Sequence, residues 1–227
     1  MAYNVSYNVG SKFNADGSVR FFPGNTVISM IDHGAPVFEQ FKNIRAMFKA
    51  LPASRCMSFM PDESIHMTIF EGVCHQWRRP EAWTSLLPLD CALSETDDLF
   101  EQRFARVRPL RPVHMRAERI AGKGCFLILF APETEGDAAE LKRYRDDLSA
   151  AFGLRFPNHD TYGFHISIGY FTKEPTEQEC AQIEAFRAAG NAYIAASDIR
   201  FVIQPPVLTY FDDMFFFSPT RIPRHGL

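Results

Sequence analysis

Two short stretches of the chain carry the same arrangement of a histidine and a hydroxyl residue. His66 is followed two positions later by Thr68, and His165 is followed two positions later by Ser167. Because imidazole titrates near pH 6.5, one such ring can accept a proton while another donates one near neutral pH. Two imidazoles and two hydroxyls therefore predict acid–base chemistry at a phosphoester, with the hydroxyls hydrogen-bonded to phosphate oxygens. This chemistry requires no metal.

Both motifs lie in segments that are predicted to form β-strands. Apolar and polar residues alternate in 64–70 and again in 162–171. Side chains two positions apart share one face of a strand, about 7 Å apart, so each histidine lies beside its own hydroxyl residue. The alternative is that both histidines are ordinary core or surface residues with satisfied hydrogen bonds.

A strand–helix–strand unit occurs twice, and the second copy follows the first by 99 residues. The segment around His66 then falls on the segment around His165. The apolar positions align as well. In the first strand, Val27, Ile28, Met30 and Ile31 correspond to Phe126, Leu127, Leu129 and Phe130. In the helix, when one extra residue is allowed for, Phe41, Ile44, Phe48 and Leu51 correspond to Leu141, Tyr144, Leu148 and Ala151. Such a repeat indicates duplication and a pseudo-twofold arrangement, which would bring both motifs to one cleft.

Apolar periodicity and turn signals predict the elements of an α+β fold. Helices are expected over 36–51, 94–107, 134–152 and 176–190, and strands over 26–31, 64–70, 113–120, 125–131, 162–171, 199–203 and 207–211. A hairpin or a bend at Pro205-Pro206 would join the last two strands. We expect a single domain over 1–227, with halves at about 24–120 and 121–212.

Composition limits the class of partner. A net charge of −3 and a pI of 6.2 disfavour coating of duplex DNA. The chain has 18 Arg and 6 Lys, which fits either an anionic ligand or a compositional bias alone. The 22 Phe are expected to lie mainly in the core.

Several sequence patterns are absent, and their absence predicts the compartment of the protein and its lack of a cofactor. The five Cys form no C-x-x-C pair, which predicts free thiols in a reducing compartment. The start of the chain has no signal-peptide pattern and the apolar runs are short, so we expect a cytoplasmic protein without a membrane partner. Metal-ligand spacing and glycine-rich cofactor motifs are absent, so no cofactor is predicted. The histidines outside the two motifs are His33, His75, His114, His159 and His225.

The two motifs read His66-Met67-Thr68-Ile69 and His165-Ile166-Ser167-Ile168, and the chain thereby resembles the 2H phosphoesterase superfamily. That superfamily includes 2′-5′ RNA ligase-like proteins and cyclic phosphodiesterases. The resemblance covers residues 24–212 and is greatest to an uncharacterised bacterial and fungal branch, which adds an N-terminal stretch like KFNADGSVRFFPGNTVIS. It implies a bilobal duplication of a β-α-β unit with antiparallel sheets lining a central cleft.

The resemblance also implies roles for the four motif residues. His66 and His165 would be the catalytic acid–base pair, and Thr68 and Ser167 would bind the phosphate. Which histidine is the base depends on how the substrate lies, so it stays open. The second motif has Ser where Thr is common, and the hydroxyl is kept.

Other residues have two interpretations each. Phe70 follows Thr68 on the same face and would either stack on a base or belong to the core. Gly163 and Gly169 flank His165 and would either leave room for a ligand or mark close backbone packing. Six arginines between Arg103 and Arg119 would form either a basic lip for a nucleotide or a solvated surface.

We therefore expect a metal-independent phosphodiesterase that acts on a 2′,3′-cyclic phosphate or a 2′-5′ linked nucleotide or RNA end. One alternative is a module that binds a nucleotide or a phosphorylated metabolite without turnover. Another is an interaction protein with an exposed phenylalanine patch. The sequence leaves the substrate, the linkage and the oligomeric state open.

Overall fold

The computed structural model describes residues 3–224, so His225 lies outside the described residues. The helices are α1 (Val5–Asn8), α2 (Pro36–Lys49), α3 (Leu93–Phe104), α4 (Glu135–Phe152) and α5 (Glu177–Ser197). The strands are β1 (Gly24–Met30), β2 (Met57–Phe59), β3 (His66–Cys74), β4 (His114–Ala121), β5 (Cys125–Pro132), β6 (His165–Phe171), β7 (Arg200–Val202) and β8 (Val207–Phe211). Helices packed on an antiparallel sheet confirm the predicted α+β class.

The strands form one sheet with a pseudo-twofold order. The strand order is β7-β4-β5-β6-β3-β1-β8, and the short strand β2 also pairs with β6. On either side of the boundary between β3 and β6, the two strands nearest to it correspond: β3 and β1 on one side match β6 and β5 on the other. The predicted units are thus β1-α2-β3 and β5-α4-β6, which lie on opposite sides of that boundary, and α2 and α4 begin 99 residues apart.

The strand registers confirm the duplication at single-residue level. In the first unit His66 pairs with Met30 and Thr68 pairs with Ile28. In the second unit the residues 99 positions later form the same pairs: His165 with Leu129 and Ser167 with Leu127. The division into one domain with halves at 24–120 and 121–212 stays a prediction, and β8 pairs with β1 of the first unit.

The sheet must be strongly curved. Strands β7 and β8 lie at its opposite edges, yet only residues 203–206 connect them. Five residue steps span at most about 18 Å, whereas six flat strand spacings would span about 29 Å. The hairpin alternative at Pro205-Pro206 is therefore wrong and the bend is confirmed, because β7 pairs with β4 while β8 pairs with β1.

Helix α5 continues beyond Gly190, where the sequence predicts its end. A Cβ atom at this glycine would overlap the Ile120 side chain on β4. The glycine therefore allows the helix to approach the sheet and does not terminate it. At the other end of α5 the predicted capping box is confirmed, because Thr176 Oγ1 accepts a hydrogen bond from the Glu179 amide at 3.3 Å.

The phenylalanines are mostly core residues, as predicted. Phe48 of α2, Phe126 of β5 and Phe186 of α5 form a three-ring cluster with centroids 4.9–5.4 Å apart. A separate, smaller cluster joins the N-terminal segment to the C-terminal one: Phe13, Phe22, Cys74, Phe211 and Met214. No helix within residues 3–224 has the length and apolar character needed to span a bilayer.

A substitution at Gly169 tests the close packing of β6 on β2. An Ala Cβ there would lie 2.5 Å from the Ser58 carbonyl oxygen and 2.8 Å from Met57 Sδ. We expect Gly169→Ala to lower the free energy of unfolding in urea by about 1–3 kcal/mol. The control is Gly136→Ala in α4, where the nearest atom is 3.6 Å away and Ala should be neutral or slightly stabilising. Equal stability of both variants would contradict the packing assignment.

Candidate active site

The two motif strands meet at a single registered pair. Met67 of β3 lies opposite Ile166 of β6, and both side chains are fully buried. When that antiparallel register is continued by one residue in each direction, His66 lies opposite Ser167 and Thr68 lies opposite His165. Directly opposite residues are close neighbours, and the diagonal histidines are about 7–8 Å apart. Each imidazole therefore has the hydroxyl of the other unit across from it.

Both imidazoles are held in the same tautomer by the same backbone feature. His66 Nδ1 lies 2.7 Å from the Ser64 carbonyl oxygen, and His165 Nδ1 lies 2.8 Å from the Gly163 carbonyl oxygen. A carbonyl only accepts, so Nδ1 donates in each ring and Nε2 of the neutral ring has a free lone pair. Both Nε2 atoms are thereby available for proton transfer. Gly163 acts here through its backbone.

Burial keeps both rings neutral in the free protein. Burial, together with the smaller effect of the adjacent His165, lowers the pKa of His66 to about 4. The Phe217 ring packs on His66 with centroids 4.3 Å apart and contributes to this desolvation. Burial also lowers the pKa of His165, and nearby Lys12 acts in the same direction. The hydrogen bonds to the two backbone carbonyls oppose these shifts.

The two hydroxyl residues each lie beside a tyrosine. Tyr162 lies against Thr68, and Tyr170 lies against Ser167. Ser167 Oγ also accepts a hydrogen bond from Cys125 Sγ at 3.3 Å. Burial raises the pKa of both tyrosines, so they remain protonated donors at neutral pH.

A β-bulge follows each motif and decides what faces the cleft beyond it. In β3, Thr68 and Phe70 pair with consecutive residues of β1, so Ile69 is the extra residue. In β6, Ser167 and Gly169 pair with consecutive residues of β5, so Ile168 is the extra residue. An extra residue reverses the alternation of faces. The next side chains that line the cleft are therefore Glu71 and Tyr170, again 99 positions apart.

Phe70 is consequently a core residue. Its side chain is fully buried and packs edge-on against Phe152 at 5.8 Å, away from the cleft. The prediction of Phe70 as a substrate contact is wrong, because the simple two-residue alternation on which it depended ends at the bulge. The carbonyl of Ile69, within the bulge, accepts a hydrogen bond from the buried Arg145 at 2.5 Å. The matching carbonyl of Ile168 accepts from the Met60 amide at 3.0 Å.

The four motif residues line one cavity of about 430 Å³, a size that suits a nucleotide. Its aromatic lining comes from strands β6 and β8, from the connection between α4 and β6, and from segments outside the duplicated units: Tyr7, Phe22, Trp77, Phe156, Tyr162, Tyr170, Phe211 and Phe217. Two of its ionisable residues, Lys12 and Glu71, were not predicted from the sequence. The 99-residue offset aligns Glu71 with Tyr170 in the sequence, but the sequence does not show that both face the cleft, because this depends on the two bulges.

The arginine-rich segment lies elsewhere. None of the six arginines between Arg103 and Arg119 lines the cavity. Arg111 pairs with the buried Glu140 at 2.9 Å, and Arg103 donates to the Ala151 carbonyl at 3.1 Å. Of the two interpretations, the structure supports the surface one.

Among residues 3–224, one cluster of histidine and aspartate side chains has the kinds of ligand atom that bind metals. Ligand atoms of Asp146, His159 and Asp160 lie within 4.8 Å of one another, outside the cavity. Lys142 Nζ already lies 2.7 Å from Asp146, and Arg155 lies 2.8 Å from Asp160. These cations neutralise both carboxylates, so we assign no metal to this cluster.

Residues 12–125, half of the chain, match the model of a family named 2H-phosphodiest and described as a domain of unknown function (DUF1868). The chain belongs to this family, which confirms the resemblance to the 2H phosphoesterase superfamily. Membership indicates chemistry of the phosphodiesterase type. No curated protein gives a significant match to this chain.

Solved structures give a second comparison. The chain is similar to the conserved protein of unknown function ATU0111 from Agrobacterium tumefaciens str. C58, with 28% identity, a TM-score of 0.85, and coverage of 93% of this chain and 90% of that one. It is also similar to TT0787 of Thermus thermophilus (13% identity, TM-score 0.47, coverage 82% and 87%) and to E. coli LigT (11%, 0.46, 84% and 88%). Both latter scores lie below 0.5, so we draw nothing further from them.

The lowered pKa of His66 predicts a pH-dependent stability. The unfolded chain binds more protons at this residue than the folded one between pH 6.5 and about 4, so the free energy of unfolding falls as pH decreases through that window. We expect a loss of about 1–2 kcal/mol from His66 between pH 7 and pH 5. Urea unfolding of His66→Asn should show a correspondingly smaller change over this range. An identical change in wild type and variant would contradict the assignment.

Proposed function

We propose that the chain is a metal-independent phosphodiesterase that cleaves a 2′,3′-cyclic phosphate or a 2′-5′ linked nucleotide or RNA end. The observation that carries this proposal is the paired arrangement of His66 with Ser167 and His165 with Thr68 around one cavity. Both imidazoles have a free Nε2, which acid–base catalysis needs. The family membership independently supports phosphodiester chemistry.

In the proposed hydrolysis the phosphate lies between the two diagonal imidazoles. His66 Nε2 takes a proton from water as the water oxygen forms a bond to phosphorus. The bond from phosphorus to one ribose oxygen breaks, and that oxygen takes its proton from the protonated His165. The product is a phosphomonoester with a free hydroxyl, and proton exchange with solvent restores both rings. Thr68 and Ser167 donate hydrogen bonds to the non-bridging oxygens, where charge is held in the transition state.

The surroundings of the two rings lead us to assign His66 as the base. Burial lowers its pKa to about 4, so it is neutral above pH 5. Glu71 raises the pKa of His165 against the effect of burial, whereas no carboxylate among residues 3–224 acts on His66 in this way, so we assign His165 as the acid. For a 2′-5′ linked substrate, the neighbouring ribose hydroxyl would take the place of water as the nucleophile.

The direct test is hydrolysis of 2′,3′-cyclic nucleotides in the presence of EDTA. We expect activity in EDTA, and a loss of at least about 100-fold in kcat for His66→Ala and for His165→Ala, since each removes one proton transfer. Thr68→Val and Ser167→Ala should each lower kcat by about 10-fold or more. The matched control is His114→Ala, because His114 is exposed and outside the cavity. A metal requirement, or activity that survives loss of both motif histidines, would refute the mechanism.

The pH profile supplies an independent test. The reaction needs His66 neutral and His165 protonated, so kcat/KM should fall as pH rises through the lowered pKa of His165, already below pH 6.5. It should also fall as pH decreases through about 4. The basic limb of kcat should lie at higher pH, because the bound phosphate stabilises the imidazolium. A value of kcat/KM that rises from pH 6 to pH 8 would contradict this assignment.

One observation favours a second function, namely ligand binding without turnover. At neutral pH both rings are neutral in the free protein, so an acid is available only if the ligand raises the pKa of His165. A cleft that binds a nucleotide or a phosphorylated metabolite would need no such acid. Calorimetric binding of a nucleotide without any product, retained in both histidine variants, would support this function over hydrolysis.

A further inference from the structure

The cleft contains a lysine surrounded by four aromatic rings. Lys12 Nζ lies 5.1 Å from the ring centroid of Tyr170, 5.3 Å from Trp77, 5.5 Å from Tyr7 and 5.6 Å from Phe22. All four aromatic residues line the cavity together with Lys12. The rings attract the cation electrostatically and restrict its position, but they leave its three N–H groups without acceptors.

Lys12 also has no counter-charge. Among residues 3–224 no carboxylate forms an ion pair with its ammonium group, and no oxygen accepts a hydrogen bond from it. The other charged residues of the cavity are balanced: Arg79 lies 3.3 Å from Glu81, and Glu71 lies 3.5 Å from Arg145. The positive charge of Lys12 is therefore the uncompensated charge of the described cavity lining. A desolvated cation without an acceptor is unfavourable, and an anionic ligand would remove that cost.

The fold holds the backbone of this lysine in place through Asn8 and through the adjacent Phe13. The Lys12 amide donates to the Asn8 carbonyl at 2.9 Å, and the Asn8 side chain donates to the carbonyls of Gly124 and Phe171 at 2.6 and 3.0 Å. Phe13, the next residue, is fully buried. The backbone of Lys12 is thus anchored to the second unit, so little ordering cost remains when a ligand binds.

The position of Lys12 relates it to one of the two hydroxyls. Its ammonium lies over Tyr170, and Tyr170 lies against Ser167. Burial lowers the pKa of Lys12, and its charge in turn lowers the pKa of His165. In the first unit the residue equivalent to Tyr170 is Glu71, which also lines the cavity. The unpaired ammonium of Lys12 therefore distinguishes the Ser167 side of the cleft from the side of Glu71, whose carboxylate is paired with Arg145.

We propose that Lys12 binds a phosphate oxygen of the ligand on the Ser167 side of the cleft. This deepens the proposed function, on which it rests for the identity of the ligand as a nucleotide. The N-terminal segment, which lies outside the duplicated units, thereby supplies a substrate-binding cation. A neutral ligand of the same shape, such as a nucleoside, would gain nothing from it.

The test compares binding of 3′-AMP and adenosine by isothermal titration calorimetry. We expect Lys12→Met to weaken 3′-AMP binding by about 10- to 100-fold, the usual contribution of a hydrogen bond to a charged group, and to leave adenosine binding unchanged. Lys12→Arg should retain most of the 3′-AMP affinity. The matched control is Lys49→Met, because Lys49 is exposed on α2, lies 5.0 Å from the Phe59 ring and is outside the cavity.

Several results would overturn the assignment. They are 3′-AMP binding by Lys12→Met within about twofold of wild type, equal weakening for adenosine, or failure of the wild type to bind 3′-AMP. If Lys12→Met does not fold, the 13Cε NMR signal of Lys12 in the wild type decides, since it should shift on titration with 3′-AMP and not with adenosine. Binding needs no turnover: 3′-AMP binding through Lys12 without cleavage of a cyclic phosphate would refute the hydrolysis and retain the role of Lys12.

Discussion

The geometry of the candidate site depends on one contact, the pairing of β3 with β6 at Met67 and Ile166. Both side chains are buried in the core, so burial of apolar surface fixes the register. A shift of one residue would turn His66 and Thr68 into the core and expose the apolar residues between them. The same contact joins the two units into one sheet, so the site forms only when the fold is complete.

The bulges that follow the motifs are the second constraint. They leave strand carbonyls that need new donors, and Arg145 and the Met60 amide supply them. Arg145 is buried and its guanidinium lies 4.3 Å from the ring centroid of Tyr162, which in turn lies beside Thr68. The core therefore supports the cleft wall directly, because Arg145 contacts Tyr162 and Tyr162 contacts Thr68.

Segments outside the duplicated units make the cleft asymmetric. The N-terminal segment contributes Lys12, and the C-terminal segment contributes Phe217, which covers His66. Two chemically similar histidines thereby experience different surroundings, with a hydrophobic ring on one and a cation near the other. Such differences between paired groups allow one to act as base and the other as acid.

The sequence alone determined the α+β class, the duplication and the four motif residues, because alternation and helical spacing are local and the 99-residue offset repeats them. It did not determine the curvature of the sheet, the opposite positions of β7 and β8, or the placement of Phe70 and Glu71. These depend on long-range pairing and on bulges, where one extra residue reverses the faces of a strand. The position of Lys12 was beyond the sequence for the same reason, since its four aromatic neighbours come from residues 7, 22, 77 and 170 and meet only in the folded chain.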